Sequence, residues 1–246
     1  MRFLFFMKEL FVSFPLSEKC LAITTTTELG NMAYQVDNGN EVLNHRLELA
    51  TALNIPVGNF TYVHQHHSDL IEKVNYEQIG KGKNAFEDGL ECDALYTFHK
   101  GTPLCIFHAD CVPIFFIDET KDLVGIIHAG FKGTMKHVAY KAIKKVMQDE
   151  GVEVKNLKFY IGPYRRLESF EIDENTRKDI IDAHLEEAII DDRFDNGLAN
   201  KLDLYKLGIK DSQIRCCNLD TVKDDRFFSA HQKTPVGRMV SLIVLK

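Results

Sequence analysis

The chain has 246 residues, 45% of them hydrophobic, enough to bury one large core, and a single domain spanning residues 1–246 is the simplest expectation. A net charge of −6 leaves no electrostatic footprint for nucleic acid, although a small phosphate-dependent substrate remains open. The apolar run Phe3–Met7 stops at Lys8-Glu9, short of the roughly 7–15 residues of a secretory core, and no window reaches the roughly 20 apolar residues of a membrane span. A cytoplasmic protein with no membrane partner is therefore expected.

In chain order, Leu10–Phe14 and Leu21–Thr26 read as short strands, and a helix is predicted from Glu41 to Leu53 with Leu43, Leu47 and Ala50 on one stripe. It stops before Ile55-Pro56, as the restriction on the residue preceding proline favours. Asn59–His67 alternates like a strand, which puts Val63, Gln65 and His67 on one face and His64 and His66 on the other. Asp93–Thr97, Leu104–Phe107, Val112–Asp118 and Leu123–His128 are apolar β-forming runs bounded by turn residues. A helix follows from Thr134 to Asp149, with Gly151 placed for a left-handed cap. Leu157–Ile161 returns as a strand, Glu174–Ala188 as an amphipathic helix, and Arg238–Leu245 closes the chain as a strand. Strands and helices mix without strict alternation, which predicts an α+β fold with mixed sheets.

Six cysteines occur without a Cys-x-x-Cys pair, which removes zinc-finger and thioredoxin-like sites and leaves most of them as small core residues. The exception lies among three stretches that place metal-capable side chains at strand ends. They are Gln65-His66-His67-Ser68-Asp69, His108-Ala109-Asp110-Cys111-Val112-Pro113 and His128-Ala129-Gly130-Phe131-Lys132-Gly133. One thiolate and two imidazoles leave a tetrahedral position of Zn²⁺ free, which is the catalytic rather than the structural pattern. Zinc held in this way lowers the pKa of a water to about 7.

These stretches, with Asp93-Ala94-Leu95-Tyr96-Thr97, Ile161-Gly162-Pro163, Phe170-Glu171-Ile172, Phe227-Phe228-Ser229 and Gly237-Arg238-Met239, follow one another as the motifs of a known family do. The chain resembles the YfiH-like proteins, first called multicopper polyphenol oxidoreductases or laccase-domain proteins. That family is now associated with zinc-dependent purine nucleoside phosphorylase and adenosine deaminase activity. The resemblance implies a layered α/β/β/α sandwich with mixed β-sheets. It also implies phosphorolysis of adenosine, inosine, guanosine and methylthioadenosine, with adenosine deamination, so that purine nucleosides and phosphate are the expected partners. By motif, the metal ligands fall on His67, Cys111 and His128, with zinc expected and copper implied by the older family name. Cys111, His128 and Asp110 are the catalytic candidates. Asp110 reads either as a group that orients a ligand histidine or contacts substrate, or as a turn residue bonded to nearby backbone. Arg46, where the family has an Asn-Arg pair, and Arg238 and Lys132 are the phosphate candidates, since a guanidinium donates two parallel hydrogen bonds to a phosphate. His108 replaces a small hydroxyl residue and reads as a donor beside the site or a buried histidine.

The chain departs from the pattern in several places, and Tyr164–Ser169, where the family carries a cysteine, has none. Thr24–Gly30 lacks the arginine and paired glycines of the family's N-terminal stretch, and Ala230-His231-Gln232 replaces a segment with two arginines. A hydrolase with Cys111 as nucleophile and His128 as base, a copper-dependent polyphenol oxidase and a non-catalytic metal-binding protein are the alternative functions.

Overall fold

The computed structural model describes residues 9–36, 40–232 and 236–246; the apolar N-terminal run read above lies outside them. The described residues open with strands β1 (Phe11–Phe14) and β2 (Cys20–Thr25), helix α1 (Asn40–Leu53) and two short strands, β3 (Thr61–Tyr62) and β4 (Ile71–Lys73). The strand-rich middle supplies β5 (Ala94–Thr97), β6 (Leu104–His108), β7 (Val112–Asp118) and β8 (Leu123–Ala129), followed by helices α2 (Phe131–Met135) and α3 (Val138–Glu150). Strand β9 (Leu157–Ile161), helix α4 (Glu174–Asp182), the hairpin β10 (Ile189–Ile190) and β11 (Arg193–Phe194), helix α5 (Asn196–Tyr205), and strands β12 (Ile214–Cys216) and β13 (Met239–Leu245) complete it.

Two mixed sheets face each other, one in the order β1-β2-β13-β6-β3 and the other β12-β9-β7-β8-β5-β4. The first is antiparallel except for β3 on β6, and the second carries parallel pairs at both edges, β12 on β9 and β4 on β5. Central strands are covered on both sides, so they read as continuous apolar runs and their period of two divides them between layers. Leu104 and Ile106 of β6 and Phe115 and Ile117 of β7 meet between the sheets. Cys105 and Phe107 turn outward toward Leu49 and Ala50 of α1, while Ile114 and Phe116 turn outward under Val138, Ala142 and Val146 of α3. The result is the expected α/β/β/α sandwich. Each fully buried large aliphatic or aromatic side chain of these layers contributes about 1.5–3 kcal/mol of transfer free energy.

Local differences from the sequence reading have identifiable causes. The predicted strand Asn59–His67 pairs only at Thr61–Tyr62 and through a bridge from Val63 to Leu90, because the backbone then turns to bond a buried carboxylate. The alternation of Gln65 and His67 against His64 and His66 persists without the ladder. The helix predicted from Thr134 splits at His137, whose φ of 60° is left-handed and whose Nδ1 lies 2.9 Å from Asp203. The helix predicted over Glu174–Ala188 ends at Asp182, and His184 (φ 56°) turns the chain away. Gly151 caps α3 at φ 61°, as expected. In α1 the buried face is Val42, Arg46, Leu49 and Ala50; Leu43 and Leu47, predicted on the buried stripe, are 39% and 42% exposed.

Candidate metal centre and its cavity

His67, Cys111 and His128 converge at one end of the sandwich, with their ligand atoms all within 4.8 Å of one another. The end of β8 delivers His128, the turn between β6 and β7 delivers Cys111, and the loop after β3 delivers His67. Two backbone positions here are left-handed without being glycine, His67 at φ 56° and Asp110 at φ 89°. Such conformations cost about 1–3 kcal/mol each and persist only where surrounding bonds over-determine them.

Asp93 supplies those bonds for the His67 loop. Its carboxylate is fully buried and accepts from the backbone N–H groups of His66 (3.2 Å), His67 (3.0 Å) and Ser68 (2.6 Å) and from the Ser68 hydroxyl (2.6 Å). It also accepts from His128 Nδ1 at 2.8 Å, which fixes the tautomer and leaves Nε2 of His128 free to act as a ligand. Burial alone would raise the Asp93 carboxyl, but His128 and Ser68 hold it down at about 2. Burial likewise opposes charge on Cys111 and His128. Their mutual attraction, with Asp93 behind His128 and His67 beside Cys111, nevertheless shifts the thiol down and the imidazole up. Before an ion binds, the pair therefore favours a thiolate beside an imidazolium, whose Nε2 proton a bound cation would displace.

The donor set fits a metal. With Zn–S of about 2.3 Å and Zn–N of about 2.0–2.1 Å, tetrahedral angles put sulfur and nitrogen about 3.5 Å apart. Cys111 Sγ lies 3.8 Å from His67 Nε2. Gly130 backs this cluster with bare backbone: a Cβ there would stand 2.2 Å from His67 Cδ2 and 3.1 Å from Cys111 Sγ. The glycine of the His128-Ala129-Gly130 motif is therefore a condition for His67 and Cys111 to approach each other.

The cluster forms part of the wall of a cavity of about 530 Å³, within the range of small-molecule sites. Phe107, Phe131 and Phe170 give it apolar surface, and Gln65, Asn196, Arg165, His231 and Arg238 give it polar surface. Asp110 also lines it, but its carboxylate does not orient a ligand histidine; Asp93 does that. Asp110 accepts instead from Thr221 Oγ1 (2.6 Å), Ser229 Oγ (3.1 Å), the Ala230 N–H (2.8 Å) and His231 Nδ1 (2.8 Å). Arg165 Nη1 in turn lies 2.7 Å from His231 Nε2, and Arg165 Nε donates to the Ser169 carbonyl. Asp110, His231 and Arg165 form a chain in which each group fixes the next. His108, the last residue of β6, lies at the cavity wall, bonds Ser241 through Nε2 and is held neutral by burial, with its pKa pushed down to about 3.

The phosphate candidates separate sharply. Arg238 lines the cavity, with Nη1 on the Gly237 carbonyl at 2.8 Å. Lys132 does not; its side chain is exposed in a groove beside Asp179 and Asp182 of α4. Arg46 does not either. It is 1% exposed, donates to the carbonyls of Met32, Gly82 and Lys83, and stacks on the rings of Tyr34, Tyr62 and Phe107. A guanidinium so occupied holds the 82–83 loop and the 32–34 segment to α1 and does not line the cavity. Arg46→Ala should therefore cost about 3 kcal/mol or more through unsatisfied carbonyls and an empty slot, lowering the thermal midpoint by roughly 6–12 °C. The phosphate dependence of the folded fraction should stay unchanged. Normal melting with a raised phosphate KM would return Arg46 to the site.

Asp93, Arg165 and His231 were not singled out from the sequence. Asp93 opens the Asp93–Thr97 motif, and that position was the available signal. Arg165 sits in a stretch notable in the sequence only for lacking a cysteine, and His231 was read as a lost arginine.

With this geometry in place, the comparisons with known proteins are specific. The family described as multi-copper polyphenol oxidoreductase laccase matches residues 23–246. A protein of Bacillus subtilis named purine nucleoside phosphorylase YlmD is 29% identical over 85% of this chain and 79% of its own. A Staphylococcus epidermidis protein named purine nucleoside phosphorylase SERP0752 is 30% identical over 87% of this chain and 83% of its own. Among solved structures, the hypothetical protein YfiH of Bacillus licheniformis superposes with a TM-score of 0.90 at 27% identity, over 97% of both chains.

Proposed function

This chain belongs to the multi-copper polyphenol oxidoreductase laccase family, and from that membership and the open Cys–His–His cluster in its cavity we propose that it is a metal-dependent purine nucleoside phosphorylase. The observation that carries the reading is one thiolate and two imidazoles, with Asp93 behind His128, facing a cavity that also holds Arg165 and Arg238. Adenosine, inosine and guanosine are the proposed substrates, with methylthioadenosine as a further one. Zinc is the proposed ion. His67, Cys111 and His128 would hold it, and when bound it supplies a Lewis-acidic centre in the cavity wall that also serves adenosine deamination.

In phosphorolysis a phosphate oxygen forms a bond to C1′ while the C1′–N9 bond breaks. Its electron pair leaves with the purine, which takes up a proton, and the products are ribose-1-phosphate and free base. Phe131 and Phe170, with ring centroids 6.2 Å apart, offer faces against which a purine packs. Arg165 and Arg238 offer cations for the phosphate dianion, replacing the arginines that this chain lacks at Ala230-His231-Gln232. Asp110 positions Arg165 through His231. The test is a phosphate titration with adenosine or inosine, following ribose-1-phosphate by chromatography. Arg165→Ala should lower kcat/KM for phosphate roughly 10- to 100-fold, since a charge-assisted hydrogen bond is worth about 1.5–3 kcal/mol, and should spare deamination of adenosine. Unchanged phosphate saturation would remove Arg165 from the anion site.

A second reading has an observation of its own. The lowered Cys111 thiol beside His128 is also the arrangement of a cysteine nucleophile with its base. Its activity would survive removal of metal.

A further inference from the structure

On the outer side of the loop that carries His67, another group of side chains converges. His64 Nδ1 lies 3.0 Å from Glu91 Oε1, and His66 Nε2 lies 3.7 Å from Glu91 Oε2. The two imidazoles are 4.2 Å apart between ring centroids, and the three ligand atoms all fall within 4.8 Å of one another. The spacing of two along extended backbone puts both histidines on one face, opposite Gln65 and His67. Glu91 is brought to them by the pairing of Val63 with Leu90 and by the bond from His64 N–H to the Leu90 carbonyl at 2.7 Å. Phe86 stands edge-on against His64 at 4.3 Å and limits its ring to few positions.

We propose that His64, His66 and Glu91 form a second transition-metal site, separate from the cavity. Nitrogen and oxygen ligands at about 2.0–2.2 Å around a tetrahedral ion lie about 3.3–3.5 Å apart, and the separations of 3.0 and 3.7 Å bracket that value. The longer one exceeds a hydrogen bond, so Glu91 leaves His66 Nε2 free for an ion. Two imidazoles and one carboxylate suit Zn²⁺, Co²⁺ or Cu²⁺ and not Ca²⁺ or Mg²⁺. His66 and Glu91 are 54% and 72% exposed at the side chain, so the ion exchanges with solvent and is held more weakly than at Cys111. When bound it joins the 64–68 loop to the 89–93 segment, the two stretches that carry His67 and Asp93.

Cobalt titration of metal-free protein tests this independently of any activity. The Cys111 site gives a thiolate-to-cobalt charge-transfer band, whereas a site of two histidines and a glutamate gives ligand-field bands alone. Wild type should take up two equivalents, the second without charge transfer. His66→Ala and Glu91→Gln should weaken the second equivalent at least tenfold and keep the first band. Cys111→Ala should lose the first band and keep the second equivalent. Uptake of one equivalent by wild type, or a second equivalent that survives in the doubly substituted His66→Ala, Glu91→Gln protein, would overturn the proposal.

Discussion

Cys111→Ala should strip the purified protein of most of its metal, from about one ion per chain to a small residue, while the fold remains. The thiolate is the softest and most strongly charged of the three ligands, and two imidazoles alone bind a divalent ion far more weakly. The side chain sits partly exposed in the cavity, so its removal leaves no large void in either core layer. Nucleoside turnover should fall with the metal. His64→Ala and His66→Ala should leave the metal content of purified protein unchanged, because their ion exchanges freely. Elemental analysis beside circular dichroism decides the point, and full metal retention in a folded Cys111→Ala protein would remove Cys111 from the ligand set.

Asp93→Asn should be almost as damaging, although Asp93 does not line the cavity. Its two oxygens accept from three backbone N–H groups, one hydroxyl and one imidazole. An amide presents N–H where one of those oxygens stood and points it at donors. Losing one partner of a buried charged pair costs about 3–5 kcal/mol, and losing the group that orients a ligand histidine costs about 10- to 100-fold in metal affinity. Metal titration and thermal melting of the variant should therefore shift together. Unchanged affinity with reduced stability would make Asp93 a structural residue alone.

The contrast between Asp93 and Arg46 shows what the sequence could and could not disclose. Central strands declared themselves because burial on both faces leaves long apolar runs, as in Val112–Asp118 and Leu123–Ala129. His67, Cys111 and His128 stood out in the sequence because each belongs to a motif beside an expected strand end, although the strand before His67 stops at Tyr62 and a loop carries that histidine to the others. Arg46 belongs to a motif as well, but no pattern tells whether a helical arginine faces a cavity or a core. Leu43 and Leu47 drew the predicted stripe to the wrong side of α1, which hid the burial of Arg46 among aromatic rings. Arg165 and His231 are 66 residues apart in sequence, and their 2.7 Å contact arises only after β9 and the 229–231 loop have folded against Asp110. Tertiary partnership of this kind leaves no local trace. Asp93 is intermediate, since its motif marks the position while its five donors come from elsewhere in the chain.

The measurement that bears most directly on the central claim is ribose-1-phosphate formation from inosine by metal-free protein, before and after Zn²⁺ is restored. Chelation should abolish phosphorolysis in wild type, and about one equivalent of Zn²⁺ per chain should return it, with no return in Cys111→Ala. Full phosphorolysis by protein shown by elemental analysis to hold no metal would contradict the account and leave the Cys111–His128 pair as the reactive centre.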